Sequence, residues 1–370
     1  EEFKEYLKLQ KLFEQKKWSG EQETLPAMTE DTRKVLWAKV TTDNSGCTGK
    51  SCKDYKACPY YEARKTWQNA DVIVANHDLV MSDLHIGSAS PLLAPPEESI
   101  FVFDEAHHLP QKARDTWSRN FRTDTFPKIF KEIPINLNDT AMKWHDSGCK
   151  YADGLATKMD AWKTKSQVVG KQLDSLQKEF DKVLLGMTKN LAPKEPFVLS
   201  YTDTFEDLMD IVERYGSTAK DLQSITSALI NDVNKQRFEL IKNGASPASP
   251  LLEDAEMNRV LGAFGFYNNR LLNLYETLSL FGKEQPDPSK PPLAKWIVPD
   301  DKHKSFQVHA TPTMATDILP TYLYNKAWAV VHASATITSI GNFNLFKQKT
   351  GLCYYPNARM LKLESPFDFE

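Results

Sequence analysis

Two adjacent carboxylates, Asp104 and Glu105, close the apolar run in "SIFVFDEAHH" at residues 99–108. A short continuous apolar run reads as a strand buried on both faces of a parallel sheet. Acidic side chains at the carboxyl end of such a strand face the crevice where open α/β sheets bind nucleotides. Asp104 there can hold Mg²⁺, through water, against the β and γ phosphates of ATP. Glu105 can orient and deprotonate the attacking water. A solvated acidic turn is the plainer reading of Asp-Glu alone. It weakens when Asp-Glu-Ala-His follows four apolar or aromatic positions. The geometry recurs in "VVHASATIT" at 330–338, where Ser334 and Thr336 end a second apolar run. Small hydroxyl residues there can sense a γ-phosphate or the carboxylates, although Ser and Thr are also frequent helix caps.

A second chemistry sits at "SGCTGKSCKDYKAC", residues 45–58. Gly49-Lys50-Ser51 could end a phosphate loop. The leading glycine of that motif would fall at position 44, which is Asn, and the approach "KVTTDNSG" is polar instead of a strand. Backbone N–H groups then lack the frame that wraps a phosphate, so the match is an accident of composition. Cys47, Cys52 and Cys58, spaced Cys-x4-Cys-x5-Cys, fit a metal centre better. Structural zinc prefers tighter pairs, and iron–sulfur clusters tolerate wider ones. Either leaves the set one ligand short. Cys149 could fold back to supply it, but a ligand upstream of Glu1 is the simpler idea. Three unliganded thiols in a loop is the bland alternative. Cys149 and Cys353 otherwise read as plain thiols.

Lys50, Lys53, Lys56, Arg64 and Lys65 share this segment with Tyr55, Tyr60, Tyr61 and Trp67. Cations beside aromatic faces suit a single-stranded nucleic acid path, with phosphates on the former and bases on the latter. A solvated helix face with a few buried rings competes with this reading on even terms. Arg114, Arg119 and Arg122 could continue the path. His77, His107 and His108 read as residues at strand ends and interdomain contacts.

The elements that must position these groups fall into two kinds. Helices are expected at 1–17, with Phe3, Leu7 and Leu12 inward, at 30–39, and from Pro59, which suits a first helical turn. Strands are expected at 71–76 ("DVIVAN"), 99–105, 306–310 ("FQVHA") and 327–336. Between the two pairs, 110–285 carries helical seams. Met257, Val260, Phe264, Tyr267, Leu271, Leu274, Leu278 and Phe281 alternate steps of three and four. Leu155, Met159, Trp162, Val169, Leu173, Leu176 and Phe180 come close to the same rhythm. One-seam helices must pack on each other, so this is a bundle or hairpin, broken at 190–196, 244–250 and 282–292.

The chain has 370 residues, 41% apolar and 26% charged, with a net charge of −3. That composition fits two or three globular domains. It excludes a uniformly basic nucleic-acid binder but leaves room for a local basic groove. No apolar run reaches the length of a membrane span. Five cysteines, three of them clustered, argue for metal and a reducing, cytoplasmic compartment over a disulfide framework.

The order of parts resembles the DinG-type, XPD-like iron–sulfur helicases of superfamily 2. It is carried by "CTGKSCKDYKAC", "VIVANHDLVMSDL", "VFDEAHHLPQKARD", "ATPTMATDILP", "SATITSIGNFNLFKQKTGL" and "ESPFDF", in that order over nearly the whole chain. The resemblance implies an α/β fold: part of a RecA-like parallel sheet with an iron–sulfur insertion and an all-helical Arch insertion. It divides the chain into an iron–sulfur region (1–70), part of the first motor domain (71–109), an Arch (110–292), and the rest of that motor domain with the linker to the second (293–370). It makes Cys47, Cys52 and Cys58 three ligands of a 4Fe–4S cluster. Asp104, Glu105 and His107 become the DEAH box that holds Mg²⁺ and ATP, with Ser334 and Thr336 the coupling motif. It further implies 5′ to 3′ movement on single-stranded and forked DNA, threaded between cluster and Arch, in repair or replication. The family's P-loop, first cluster cysteine and second motor domain are expected outside this chain, which alone should be inactive as an ATPase. A non-catalytic, metal-pinned DNA-binding or scaffold module is the competing reading, and a zinc site the competing metal.

Overall fold

The structure is a computed structural model, and it describes residues 2–15, 17–18, 20, 55–87, 93–124, 152–192, 194–200, 205–242, 255–283, 291–300 and 305–363. The expected helix at 30–39 lies outside these residues, as do Cys47, Lys50, Cys52, Lys53, Cys149 and "ESPFDF". Helix α1 spans Glu2–Glu14. Among its described side chains Leu9 is buried and Leu12 partly buried, whereas Leu7, expected inward, lies 46% exposed. Helix α2, Pro59–Gln68, begins at its proline as expected.

The acidic turn belongs to a small core of its own. Helix α3, His77–Ile86, starts where the Asn76 side chain accepts the Leu79 N–H at 2.8 Å, a cap that satisfies one of the helix's four orphan donors. Strand β1, Ile100–Phe103, leads into the turn, and helix α4, Leu109–Trp117, leaves it. Strand β6, Ala329–His332, runs parallel to β1, with Ile100 beside Ala329 and Phe103 beside His332. Val80, Met81, Phe103, Leu109, Ala113, Leu319, Leu323 and Phe346 fill the space under the strands. Phe346 comes from the last helix, α8, Asn344–Thr350. Gly351 then turns the chain at φ +81°. A Cβ there would stand 2.4 Å from the Thr316 carbonyl oxygen, so no side chain fits.

The parallel pairing of 99–105 with 327–336 is as expected, but burial on both faces is not. Ile100 and Val102 are 59% and 68% exposed. Residues 71–76 form no strand. A strand exists only as part of a ladder, and among the described residues nothing pairs with this segment, which leaves Val74 96% exposed.

The long insertion has helices and a sheet. Helices α5 (Ala152–Thr188), α6 (Glu206–Lys242) and α7 (Ala255–Phe281) pack side by side. The seam read from the sequence is their core: Trp162, Leu173 and Phe180 on α5, and Phe264, Tyr267, Leu271, Leu274, Leu278 and Phe281 on α7, are all buried. The all-helical expectation for 110–292 is corrected by β2 (Arg119–Arg122) and β3 (Phe197–Leu199), which join β4 (Leu293–Pro299) and β5 (Phe306–Pro312) in an antiparallel sheet of order β2-β5-β4-β3. "FQVHA" therefore pairs antiparallel with β2 and β4, not in the parallel sheet. Its alternation suits one covered face: Phe306, Val308 and Ala310 point to the helices, and Gln307 and His309 away. Together the two cores give a mixed α/β fold, with one parallel strand pair and a large helical region. No helix among the described residues is long and apolar enough to cross a membrane.

Candidate nucleotide site and nucleic-acid interface

The main chain leaves β1 through a tight turn that is braced by the end of β6. The Ala333 N–H donates to Phe103 O at 2.8 Å, and the Ala106 N–H donates to Ala333 O at 3.0 Å. These bonds continue the parallel ladder past the strands, so both strand ends arrive at one place. Glu105 adopts a left-handed conformation, φ 47° and ψ 43°. Non-glycine residues seldom sit there, and such strain concentrates where function holds a side chain in place. The Asp104 carboxylate accepts the Glu105 N–H at 2.9 Å, and both acidic side chains are exposed at the sheet edge.

Four of the expected side chains form one network. The Thr336 N–H donates to Ser334 Oγ at 3.1 Å, and Ser334 Oγ donates to Glu105 Oε2 at 3.3 Å. His107 Nδ1 lies 2.9 Å from Ser334 Oγ and 3.2 Å from Glu105 Oε2. Both of those atoms can accept, so the tautomer protonated at Nδ1 satisfies the whole set. The hydroxyls of Ser334 and Thr336 are 3.3 Å apart. Asp104, Glu105, His107, Ser334 and Thr336 are thus brought together from two turns more than two hundred residues apart in the chain. His77 packs its ring against Phe103 at 5.6 Å, and the His107 and His108 rings lie 3.8 Å apart.

His332, immediately before the Ala333 brace, was not singled out in the sequence. It lies between Phe103 and Phe346, with Nε2 3.3 Å from the Tyr324 hydroxyl. Burial pushes its imidazole down to about 4 from 6.5. Between those values the unfolded chain binds a proton that the folded chain refuses. Stability therefore rises with pH across the window and is lost on acidification from 6.5 toward 4, by up to about 3 kcal/mol. Denaturant unfolding at pH 4.5 and 7 should show this loss, and His332→Gln should flatten it.

The cysteine segment is described only from Tyr55 onward. Cys58 is half-buried, in no disulfide, and directly precedes α2. Among the described residues no group of three or more His, Cys, Asp and Glu could hold a metal ion. The donor set Cys47, Cys52 and Cys58 is all sulfur, which suits iron–sulfur or zinc and leaves a coordination position for a fourth ligand. Tyr55 and Tyr61 pack with ring centroids 4.4 Å apart, Tyr60 meets Tyr61 edge-on at 5.2 Å, and the Arg64 guanidinium lies 5.7 Å over the Tyr60 ring. Lys56 and Lys65 are exposed and Trp67 is half-buried on the same short stretch. This clusters the described part of the expected single-strand path.

The three arginines after the acidic turn are engaged in packing. Arg114 donates to Thr313 O at 3.1 Å, and Arg122 donates to Asp124 at 3.0 Å and Ser305 Oγ at 3.1 Å. Arg119 pairs with Glu276 at 2.8 Å. Arg114 and Arg119 serve the junction between the two cores, whereas Arg122, 47% exposed, bonds within the insertion's own sheet.

Residues 23–126 match the DEAD_2 family model. The ATP-dependent DNA helicase DinG of Photobacterium profundum is 27% identical over 367 residues, covering 96% of this chain and 47% of that protein. The protein of the same name from Escherichia coli (strain K12) is 24% identical over 382 residues, covering 100% and 48%. That from Salmonella typhimurium is 23% identical over 375 residues, covering 95% and 46%. The chain spans about half the length of the curated relatives it matches. The similarity to these DinG proteins runs along nearly the chain's whole length.

Proposed function

We propose that this chain forms part of an ATP-dependent DNA helicase that moves 5′ to 3′ and opens forked duplexes in the cytoplasm. The observation that supports it most is the single network joining Asp104-Glu105-Ala106-His107 at the end of β1 to Ser334 and Thr336 at the end of β6. In this reading Asp104 would hold the magnesium of Mg-ATP, and Glu105 would take the proton of the attacking water. His107 and Ser334 link that carboxylate to the second turn, so nucleotide state and strand movement change together. Gly49-Lys50-Ser51 lacks the leading glycine of a phosphate loop, so this chain alone hydrolyses ATP poorly.

Cys47, Cys52 and Cys58, with a fourth ligand, would hold a 4Fe–4S cluster. The cluster would pin the segment structurally and supply no redox step. Tyr55, Lys56, Arg64, Lys65 and Trp67, with Lys50 and Lys53, would carry single-stranded DNA past it through phosphate contacts and stacking.

Strand displacement by the full-length protein on duplexes with a 5′ or a 3′ tail tests this reading. ATP-dependent opening of the 5′-tailed duplex, with hydrolysis stimulated by single-stranded DNA, is expected. Tight DNA binding without hydrolysis would instead identify a non-catalytic, metal-pinned module. The visible spectrum of anaerobically purified protein separates the metals, because zinc is colourless.

A further inference from the structure

Arg119 sits where the small core that holds the acidic turn meets the long insertion. Its guanidinium is engaged on three elements at once. Nε donates to Glu276 Oε2 on α7 at 2.8 Å. Nη1 donates to Thr116 O and Ser118 O, each at 3.0 Å, where α4 ends. Nη2 lies within hydrogen-bond reach of His85 Nε2 on α3. The last carbonyls of a helix have no intrahelical donor, and a cation there also complements the helix dipole. Arg119 therefore completes the end of α4 while it holds α7.

The other end of α4 is the acidic turn. Leu109, its first residue, is two positions after His107, and Leu109, Pro110 and Ala113 are buried against the core beneath β1. Helix α4 is thus a rigid rod, about 13 Å long at 1.5 Å per residue, with the nucleotide-site turn at one end and Arg119 at the other. Glu276 in turn lies on the helix whose Tyr267, Leu271, Leu274 and Leu278 are core to the insertion. Arg119 itself opens β2, so its ion pair to Glu276 lies within the insertion, and its contacts to the end of α4 and to His85 tie that pair to the small core.

The surroundings keep the joint tight. The Arg119 side chain is 16% exposed, which strengthens its electrostatics over those of a surface pair. His85 Nε2 must accept, so its proton is on Nδ1, which is buried with no hydrogen-bond partner. Burial and the facing Arg119 charge push this imidazole down, which favours the neutral ring that the contact requires, while Glu276 acts in the opposite sense. The unpartnered Nδ1 is a cost that the other Arg119 contacts offset.

We propose that Arg119, paired with Glu276, is a positioning residue that carries the state of the acidic turn along α4 into the helical insertion, and so couples ATP hydrolysis to strand opening. The proposal rests on the helicase reading above. Its test is the ratio of base pairs opened to ATP hydrolysed by the full-length protein with Glu276→Gln, which keeps the side chain's shape but removes its charge. DNA-stimulated hydrolysis should persist while the ratio falls roughly two- to thirty-fold, the range expected for a coupling residue that touches neither ligand. Arg119→Lys keeps the charge but loses the fork, and should lower the ratio in the same direction. A purely structural bridge would change thermal stability and leave the ratio alone. Wild-type protein that unwinds DNA, with unchanged ratios in both variants, overturns the proposal by itself. Wild-type protein without DNA-stimulated hydrolysis overturns the helicase reading and the proposal with it.

Discussion

Replacing Glu105 by Gln in the full-length protein should lower DNA-stimulated ATP hydrolysis by about 10²- to 10⁴-fold, the range for loss of a positioned general base. Nucleotide binding should be retained, because Asp104, the proposed magnesium-binding carboxylate, is untouched. The left-handed backbone at 105 and the Ala106–Ala333 bond fix where the carboxylate stands, and Ser334 Oγ and His107 Nδ1 fix how it is turned. Gln has nearly the same shape and can still accept the Ser334 hydrogen bond, so the turn should keep its fold. What Gln cannot do is take a proton from water. Steady-state hydrolysis beside equilibrium binding of a nucleotide analogue separates the two effects. Parallel loss of both would mean that the substitution had collapsed the turn.

The largest stability effect is expected at Phe180. Its ring is fully buried between α5, α6 and the sheet, 5.8 Å from Tyr215 and 6.2 Å from Phe121. Phe180→Ala removes those contacts and leaves a cavity that three long helices and a sheet cannot close without moving together. The loss should be about 3–5 kcal/mol, read by denaturant unfolding of the insertion. Val168, 57% exposed on the same helix, provides the control. Val168→Ala should change stability by less than about 0.5 kcal/mol.

The helical seam was legible in the sequence because burial repeats along one helix at steps of three and four. That pattern is local, and every described seam residue of α7 that it named from Phe264 onward is buried. The antiparallel sheet was not legible. Its strands stand far apart in the chain, and β2 and β3 are only four and three residues long. "RNFR" and "FVL" carry too little pattern to distinguish a strand from a helix end. Residues 71–76 failed for the opposite reason: "DVIVAN" has the composition of a strand, but only a partner strand makes one, and composition does not supply the partner.

At the site, Asp104, Glu105, His107, Ser334 and Thr336 could be named from two motifs. Their convergence could not, because it depends on β1 and β6 lying side by side. His332 and the Arg119–Glu276 pair were missed because a buried histidine or an interdomain arginine has no local signature. Arginines near an acidic box look the same in sequence whether they meet phosphate or a neighbouring helix.

The central claim is that the acidic turn after β1 and the hydroxyl turn after β6 act as one unit. A double-mutant cycle of His107→Ala and Ser334→Ala, read as the rate of ATP-dependent strand displacement by the full-length protein, tests it most directly. A coupling energy of at least about 0.5 kcal/mol between the two positions is expected from their 2.9 Å contact. Losses that add within about 0.3 kcal/mol would show that the two turns work independently, and would contradict the account.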